Sequence, residues 1–264
     1  MNQENPGRRI MPLTVDRDPL ADTTHYTHTS FVTIPFVTDS KVLEPMLPSF
    51  FKPSPRGIVT VSYQHICGVE YLAGRNYKIA QAMAEVTYEA QGRSITAIYP
   101  LAMWESDTNP IIAGREFLGT PKLYGEIPDL DKGEDAWRFS CSEYGSVLLS
   151  GEVRDMTLVE GEKFDAMKDM IRTVHALTWK YIPGPNGTVD ASYPIYYRQE
   201  VDVAELRLGK GEVHWGTPSA EEAPISWQIP AALAKLPIQR YLPAISGHGP
   251  ARLLRSTVER LPLP

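Results

Sequence analysis

Cysteine is scarce: the 264 residues hold two, Cys67 and Cys141, far apart and outside any CxxC or Cys/His ligand spacing. A disulfide framework and a thiolate metal site therefore lack support, and both residues read as reduced, packed thiols. Basic residues do not outnumber acidic ones, and the formal charge of -6 argues against general nucleic-acid binding, which needs clustered Lys and Arg to displace counterions. No window approaches the roughly 18 uninterrupted apolar residues of a membrane span. The first residues lack the basic-then-apolar order of a signal peptide, so the sequence reads as cytoplasmic, with no membrane partner. His25, His28, His65, His175, His214 and His248 never form HExxH or a comparable cluster, so no metal is expected. GxSxG, Walker A and GxGxxG patterns are missing too. That removes the usual support for hydrolases of that class, NTPases and dinucleotide enzymes, and no cofactor is expected.

What is present is a chain with 42% apolar residues, enough for a large core without staples. Residues 1–22 are polar, proline-spotted and aperiodic, which predicts an extended or disordered N-terminal arm. No linker or charge run divides the remainder, so 23–264 is expected to be one domain. β-branched runs predict strands over 30–37 and 58–67, with a short helix through Val42, Leu43 and Met46 between them, capped by Asp39 or Ser40. A hairpin is predicted between 80–88 and 94–103 across Glu89-Ala90-Gln91-Gly92, and another between 137–142 and 147–156. Phe164, Met167, Met170 and Ile171 fall at helical spacing. A strand over 175–182 precedes the Pro183–Gly187 turn, and Asn186-Gly187-Thr188 reads as part of that turn. A last hairpin is predicted between 198–208 and 212–215 across Gly209-Lys210-Gly211, followed by brief helical pieces at 231–236 and 251–261. Strands outnumber helices and βαβ alternation is missing. The expected fold is mainly β (α+β): a large antiparallel sheet curled into a barrel or cone, with a few short helices.

Chemistry concentrates in Pro110-Ile-Ile-Ala-Gly114-Arg-Glu-Phe-Leu-Gly119-Thr-Pro121-Lys122. Here a glycine-punctuated turn is expected after the apolar run, with Pro121 fixing the backbone ahead of Lys122. An amine held in apolar surroundings loses part of its preference for the charged form and can attack a carbonyl as the free base.

The run Pro110–Glu116 followed by Pro121-Lys122 resembles the signature of the acetoacetate decarboxylase superfamily, whose lysine is a standard instance of this activation. The likeness extends over most of residues 25–260. It implies a Schiff-base role for Lys122, the family's curled antiparallel barrel, and assembly into a homo-oligomer of tetramer size or larger. The family's decarboxylases carry a second lysine after the reactive one, where this sequence has Leu123. Their early arginine and two glutamates fall near Thr29, near Ser62 or Tyr63, and at Ile79.

With the imine former kept and the carboxylate-handling set changed, the resemblance points to the pyruvate aldolase-dehydratase branch. The expected activity is that of a Schiff-base-forming lyase on pyruvate and related 2-oxo acids, by aldol condensation with dehydration or by hydration of the 2-oxo-3-enoate. A small 2-oxo acid or aldehyde would be the partner. The alternatives are a true acetoacetate decarboxylase and a non-catalytic ligand-binding barrel. A buried substrate carboxylate needs a cation, for which Arg115 is the nearest candidate, its other reading being an ion pair with Glu116. Leu118 is a candidate pocket wall, Tyr63 and Glu85 are candidate acid/bases on strands, and Arg252 is a candidate for a second carboxylate.

Overall fold

The computed structural model describes residues 21–263. Strand β1 (Thr23–Val37), helix α1 (Ser40–Leu43), the short β2 (Lys52–Pro53), β3 (Ile58–Val69), β4 (Arg75–Ala90) and β5 (Arg93–Glu105) come first. Helix α2 (Thr108–Leu118) leads into β6 (Lys122–Tyr124), β7 (Asp131–Lys132), β8 (Ala136–Glu143) and β9 (Ser146–Leu158). Helix α3 (Gly161–Ile171), β10 (Thr173–Pro183), β11 (Val189–Val201), β12 (Glu205–Trp215), α4 (Gln228–Leu233), β13 (Arg240–Tyr241) and β14 (Ala244–Arg260) follow. The N-terminal arm expected over 1–22 lies almost wholly outside the described residues.

All the strands join one 14-stranded sheet, mostly antiparallel, with parallel pairings of β5 to β6 and to β10. β1, β3, β4, β5, β10, β11 and β14 are neighbours in that order. β14 then returns to β1 in register from Thr23↔Leu254 to Thr33↔Ile245, which closes a ring. Beyond β14 the sheet continues through β12, β9, β8 and β7 as an arm. The arm packs on the outer face of the ring, where Phe139, Leu148 and Val153 share a buried cluster with Val32, Ile34, Val61 and Tyr63. A Cβ at Gly151 would lie 2.3 Å from Phe139 Cζ and 2.9 Å from Ile34 Cδ1, so glycine permits this close approach.

Strand alternation sorts the two sides of the ring. On β1, Val32, Ile34 and Phe36 are fully buried toward the arm, while Thr29, Phe31 and Thr33 line the interior. On β3, Val59, Val61 and Tyr63 face outward, and Thr60, Gln64 and Ile66 face in.

Three local expectations are corrected. Gly209-Lys210-Gly211 is no hairpin turn but lies within β12, which pairs with β9 and β14. A Cβ at Gly209 would lie 2.4 Å from Met156 Sδ, and one at Gly211 would lie 2.8 Å from Ile34 Cγ2, so these glycines serve close packing. Residues 251–261 form no helix: 251–260 are the end of β14, held by β1 as far as Leu254 and by β11 as far as Arg260, an instance of tertiary pairing overriding local periodicity. The turn expected at Gly114 is the interior of α2.

Candidate active site

Helix α2 and strand β6 set Lys122. Asp107 caps the helix by accepting from the Asn109 amide at 2.8 Å, and Pro110 sits in the first turn, where its missing N–H costs nothing. Gly119, at φ 64, ends the helix in the left-handed conformation. The carbonyls left open at that end are taken by β10: Lys180 Nζ donates to Arg115 O at 3.0 Å and to Glu116 O, and Thr178 Oγ1 donates to Leu118 O. Burial lowers the Lys180 pKa, and its work here is to close the helix. After Pro121 the chain runs parallel to β5, pairing Lys122 with Met103 and Leu123 with Trp104. Gln81 on β4 pairs with Met103, so Gln81, Met103 and Lys122 form one row on one face of the sheet.

Lys122 Nζ is 2.8 Å from Glu105 Oε1 and donates to Pro110 O at 3.1 Å. The lysine side chain is 11% exposed and Glu105 is 0% exposed. Among the described residues neither Glu105 oxygen has a well-aligned hydrogen-bond donor, so charge holds this contact. Burial pushes the Glu105 carboxyl above the usual carboxylate range, against the pull of Lys122. The lysine stem crosses Gly114 so closely that a Cβ there would lie 2.4 Å from Lys122 Cε and 2.7 Å from Nζ.

Two cavities lie near this pair and share Tyr26 and Tyr77 as lining, and Lys122 borders only the smaller. One, about 30 Å³, is bordered by Lys122, Gly114, Leu118, Tyr26, Tyr71, Tyr77 and Arg255. Arg255 is 7% exposed, its guanidinium 5.2 Å from the centre of the Phe117 ring. The other is a chamber of about 310 Å³ inside the ring, lined by apolar side chains such as Phe31, Ile66, Ile79, Met83 and Ile98. Its polar lining includes Thr29 and Gln81. Thr29 Oγ1 and Gln81 Oε1 are buried with no hydrogen-bond partner among the described residues, while Gln81 Nε2 donates to Ser62 Oγ at 3.1 Å. Tyr26 and Tyr77 border both cavities. Burial raises both phenols, with the Glu105 charge adding to it, and it pushes Tyr197 in the chamber wall up to about 12.

The residues singled out in the sequence divide. Leu118 borders the small pocket. Arg115 and Glu116 do not: Arg115 Nη1 braces the Lys122 carbonyl at 3.1 Å. Arg252 borders the chamber, paired with Glu200. Tyr63 is turned away from the interior, its ring 5.9 Å from that of Phe139, and burial pushes its phenol up to about 12. Glu85 is bound by Arg56, which with the Ser54 hydroxyl outweighs burial and holds the carboxyl below its ordinary range. Neither Tyr63 nor Glu85 borders either cavity. The sequence reading missed Glu105, Arg255 and Tyr26. Glu105 shares its face of β5 with Met103, but a glutamate two residues before a helix cap reads as solvated until β6 is known to lie alongside. Among the described residues no group of three or more His, Cys, Asp or Glu could hold a metal ion, and no helix is long and apolar enough to cross a membrane.

The family model for acetoacetate decarboxylase (ADC) matches residues 10–259. No curated protein matches the sequence. Among solved structures, acetoacetate decarboxylase from Legionella pneumophila is 17% identical with a TM-score of 0.73, over 96% of this chain and 93% of that one. An acetoacetate decarboxylase-like enzyme from Sphingomonas wittichii RW1 is 16% identical with a TM-score of 0.71, over 93% of this chain and 96% of its own. The enduracididine biosynthesis enzyme MppR, complexed with pyruvate, is 13% identical with a TM-score of 0.65, over 91% of each chain. MppR has also been solved with the condensation product of pyruvate and imidazole 4-carboxaldehyde.

Proposed function

The chain belongs to the acetoacetate decarboxylase family, and on that premise we propose that it is a Schiff-base-forming lyase for pyruvate and related 2-oxo acids. Lys122 would form the imine. The observation that carries this reading is the pairing of Lys122 with the fully buried Glu105 at 2.8 Å. An ion pair out of water is costly, and moving one proton from the ammonium to the carboxylate leaves two neutral groups and a free amine. Glu105 is then the base that frees the nucleophile and the acid that returns the proton. The protonated imine draws electrons from the adjacent carbon, so an enamine can form, attack an aldehyde, and the adduct can lose water.

Decarboxylation is the weaker reading. The position after the reactive lysine is Leu123, whose side chain packs against the main core cluster. The interior near the family's carboxylate-handling positions offers Thr29, Ser62 and Gln81 in place of charges. Arg255 at the lysine end supplies positive potential for a 2-oxo acid carboxylate. The non-catalytic reading has little support from an amine enclosed with its own proton acceptor.

Incubation with pyruvate and borohydride is expected to reduce the imine and fix a mass increase on the Lys122 peptide. No adduct would sink the proposal. Carbon dioxide release from acetoacetate at a rate above pyruvate–aldehyde turnover would favour the decarboxylase.

The chamber also constrains the aldehyde. Its 310 Å³ equals roughly ten water volumes, its lining is largely apolar, and its Arg252 is already paired with Glu200. A neutral aromatic or branched aldehyde is expected to exceed a carboxylate-bearing aldehyde by about tenfold or more in kcat/KM. This is measured by the ultraviolet absorbance of the conjugated 2-oxo-3-enoate, and equal or reversed preference would contradict it. Assembly into a homo-oligomer remains part of the proposal, tested by light scattering.

A further inference from the structure

The apolar chamber holds a polar atom that can bond in one way only. Gln81 is 3% exposed and Ser62 0%, and they stand opposite each other on β4 and β3. Gln81 Nε2 donates to Ser62 Oγ at 3.1 Å, which orients the amide. Gln81 Oε1 is left buried, with no hydrogen-bond partner among the described residues, on a side chain that lines the chamber. An unpaired acceptor in apolar surroundings is destabilising. Ile79 and Met83, its neighbours on the same face of β4, carry no donor. Thr29 Oγ1 is unpartnered as well, but a hydroxyl donates or accepts and so does not say what it awaits, whereas an amide oxygen only accepts.

Gln81 pairs with Met103 and Met103 with Lys122, so Gln81 and Lys122 stand two strand spacings, roughly 10 Å, apart on one face of the sheet. The bond to Ser62 draws the amide toward β3, on the side away from Lys122. Gln81 is thus placed for the far portion of a substrate whose carbonyl carbon is at the lysine, several atoms beyond the new C–C bond. A charged donor does not suit it: the charged side chains of the chamber lining, Arg252 and Glu200, pair with each other, and a cation out of water needs an opposite charge. We infer that Gln81 is a specificity-determining residue, whose amide oxygen accepts a hydrogen bond from a neutral donor, a hydroxyl or an N–H, on the tail of the aldehyde. The inference rests on the lyase reading above and narrows its second substrate from any neutral aldehyde to one with a donor several atoms from the carbonyl.

Unreactive probes test this contact without the imine. Phenol and toluene share a shape and differ in a donor, while anisole, an ether, only accepts. Gln81→Leu with Ser62→Ala removes both members of the internal bond, so neither is orphaned. From wild type to this variant, the affinity for phenol relative to toluene is expected to fall about tenfold, and the affinity for anisole relative to toluene should stay level. Gln81→Met, which keeps the side-chain length, serves as a second variant and should shift the same ratio in the same direction if the double variant fails to fold. With pyruvate present, kcat/KM for hydroxybenzaldehydes relative to methylbenzaldehydes should fall by a similar factor. An unchanged phenol-to-toluene ratio would mean that solvent alone serves the Gln81 oxygen. Lost anisole affinity would mean that the amide presents its NH2 to the chamber. Either result overturns the inference, and an unchanged kcat/KM ratio overturns the part of Gln81 in choosing the aldehyde. Absence of a borohydride-fixed pyruvate adduct in the wild-type protein would instead overturn the lyase reading, with the probe ratios still deciding whether Gln81 binds a donor.

Discussion

Lys122→Ala is expected to lower turnover by about four orders of magnitude or more, because it removes the nitrogen proposed to form the covalent intermediate. It should also change how stability depends on pH, which separates this site from a surface lysine. In the wild-type protein Glu105 is fully buried with Lys122 at 2.8 Å, and burial already holds its carboxyl above the ordinary range. Without Lys122 the opposing pull is gone and that carboxyl rises further. A group whose folded pKa lies above its unfolded value contributes stability that is fully present below the unfolded pKa and is lost as pH rises through the folded one. Lys122→Ala should therefore stand closest to wild type near pH 4.5 and fall behind as pH rises toward 8. Removing one partner of a buried pair costs about 3–5 kcal/mol while the other stays charged, an upper bound because Glu105 can take up a proton. At about 2–4 °C per kcal/mol for a chain of this size, a deficit of several degrees at pH 8 is readable by thermal melts. Lys122→Met with Glu105→Leu removes both charges, so its own stability carries no contribution from this site, and it should gain on wild type as pH rises through the range where wild-type Glu105 titrates, although turnover stays lost. A pH-independent deficit in Lys122→Ala would mean that Glu105 is not desolvated in solution.

The ring was legible where the pattern is local. β3, β4 and β5 carry alternation and the tight turn at Gln91-Gly92, so the meander follows from neighbours in sequence. Closure was not, because β1 and β14 meet across most of the chain and the end of β14 has a spacing that reads equally well as a helix. The site divides along the same line. Lys122 was singled out because Pro121 and the glycines around it leave a local mark and the segment resembles the family's signature. Glu105 and Arg255 come to it through the pairing of β5 with β6 and the closure of the ring, which no local pattern encodes. Tyr63 shows the cost of an unknown register: it lies on the strand that lines the chamber, yet the period of two gives the interior to Thr60 and Gln64 and turns Tyr63 into the core.

Gly114 is where fold and chemistry make opposite demands, so Gly114→Ala should separate them. Glycine inside a helix costs about 1 kcal/mol relative to alanine, and Gly114 occupies the interior of α2 without a positive φ. Local propensity therefore favours alanine. The added Cβ would nevertheless lie 2.4 Å from Lys122 Cε, 2.6 Å from Cδ and 2.7 Å from Nζ. Those atoms form the flexible end of a side chain, so the lysine gives way and the backbone stays. Displacing the amine by about 1 Å from Glu105 and from the attack position is expected to lower kcat/KM by about 100-fold or more. Borohydride trapping of pyruvate should slow with it, while the thermal midpoint near pH 4.5, where loss of the Glu105 contact costs least, stays level or rises. A variant with lost stability and lost activity would mean that the helix moves and not the lysine. A variant with full activity and normal trapping would mean that Lys122 does not react from its place across Gly114, and the imine reading would have to find another path to the carbonyl.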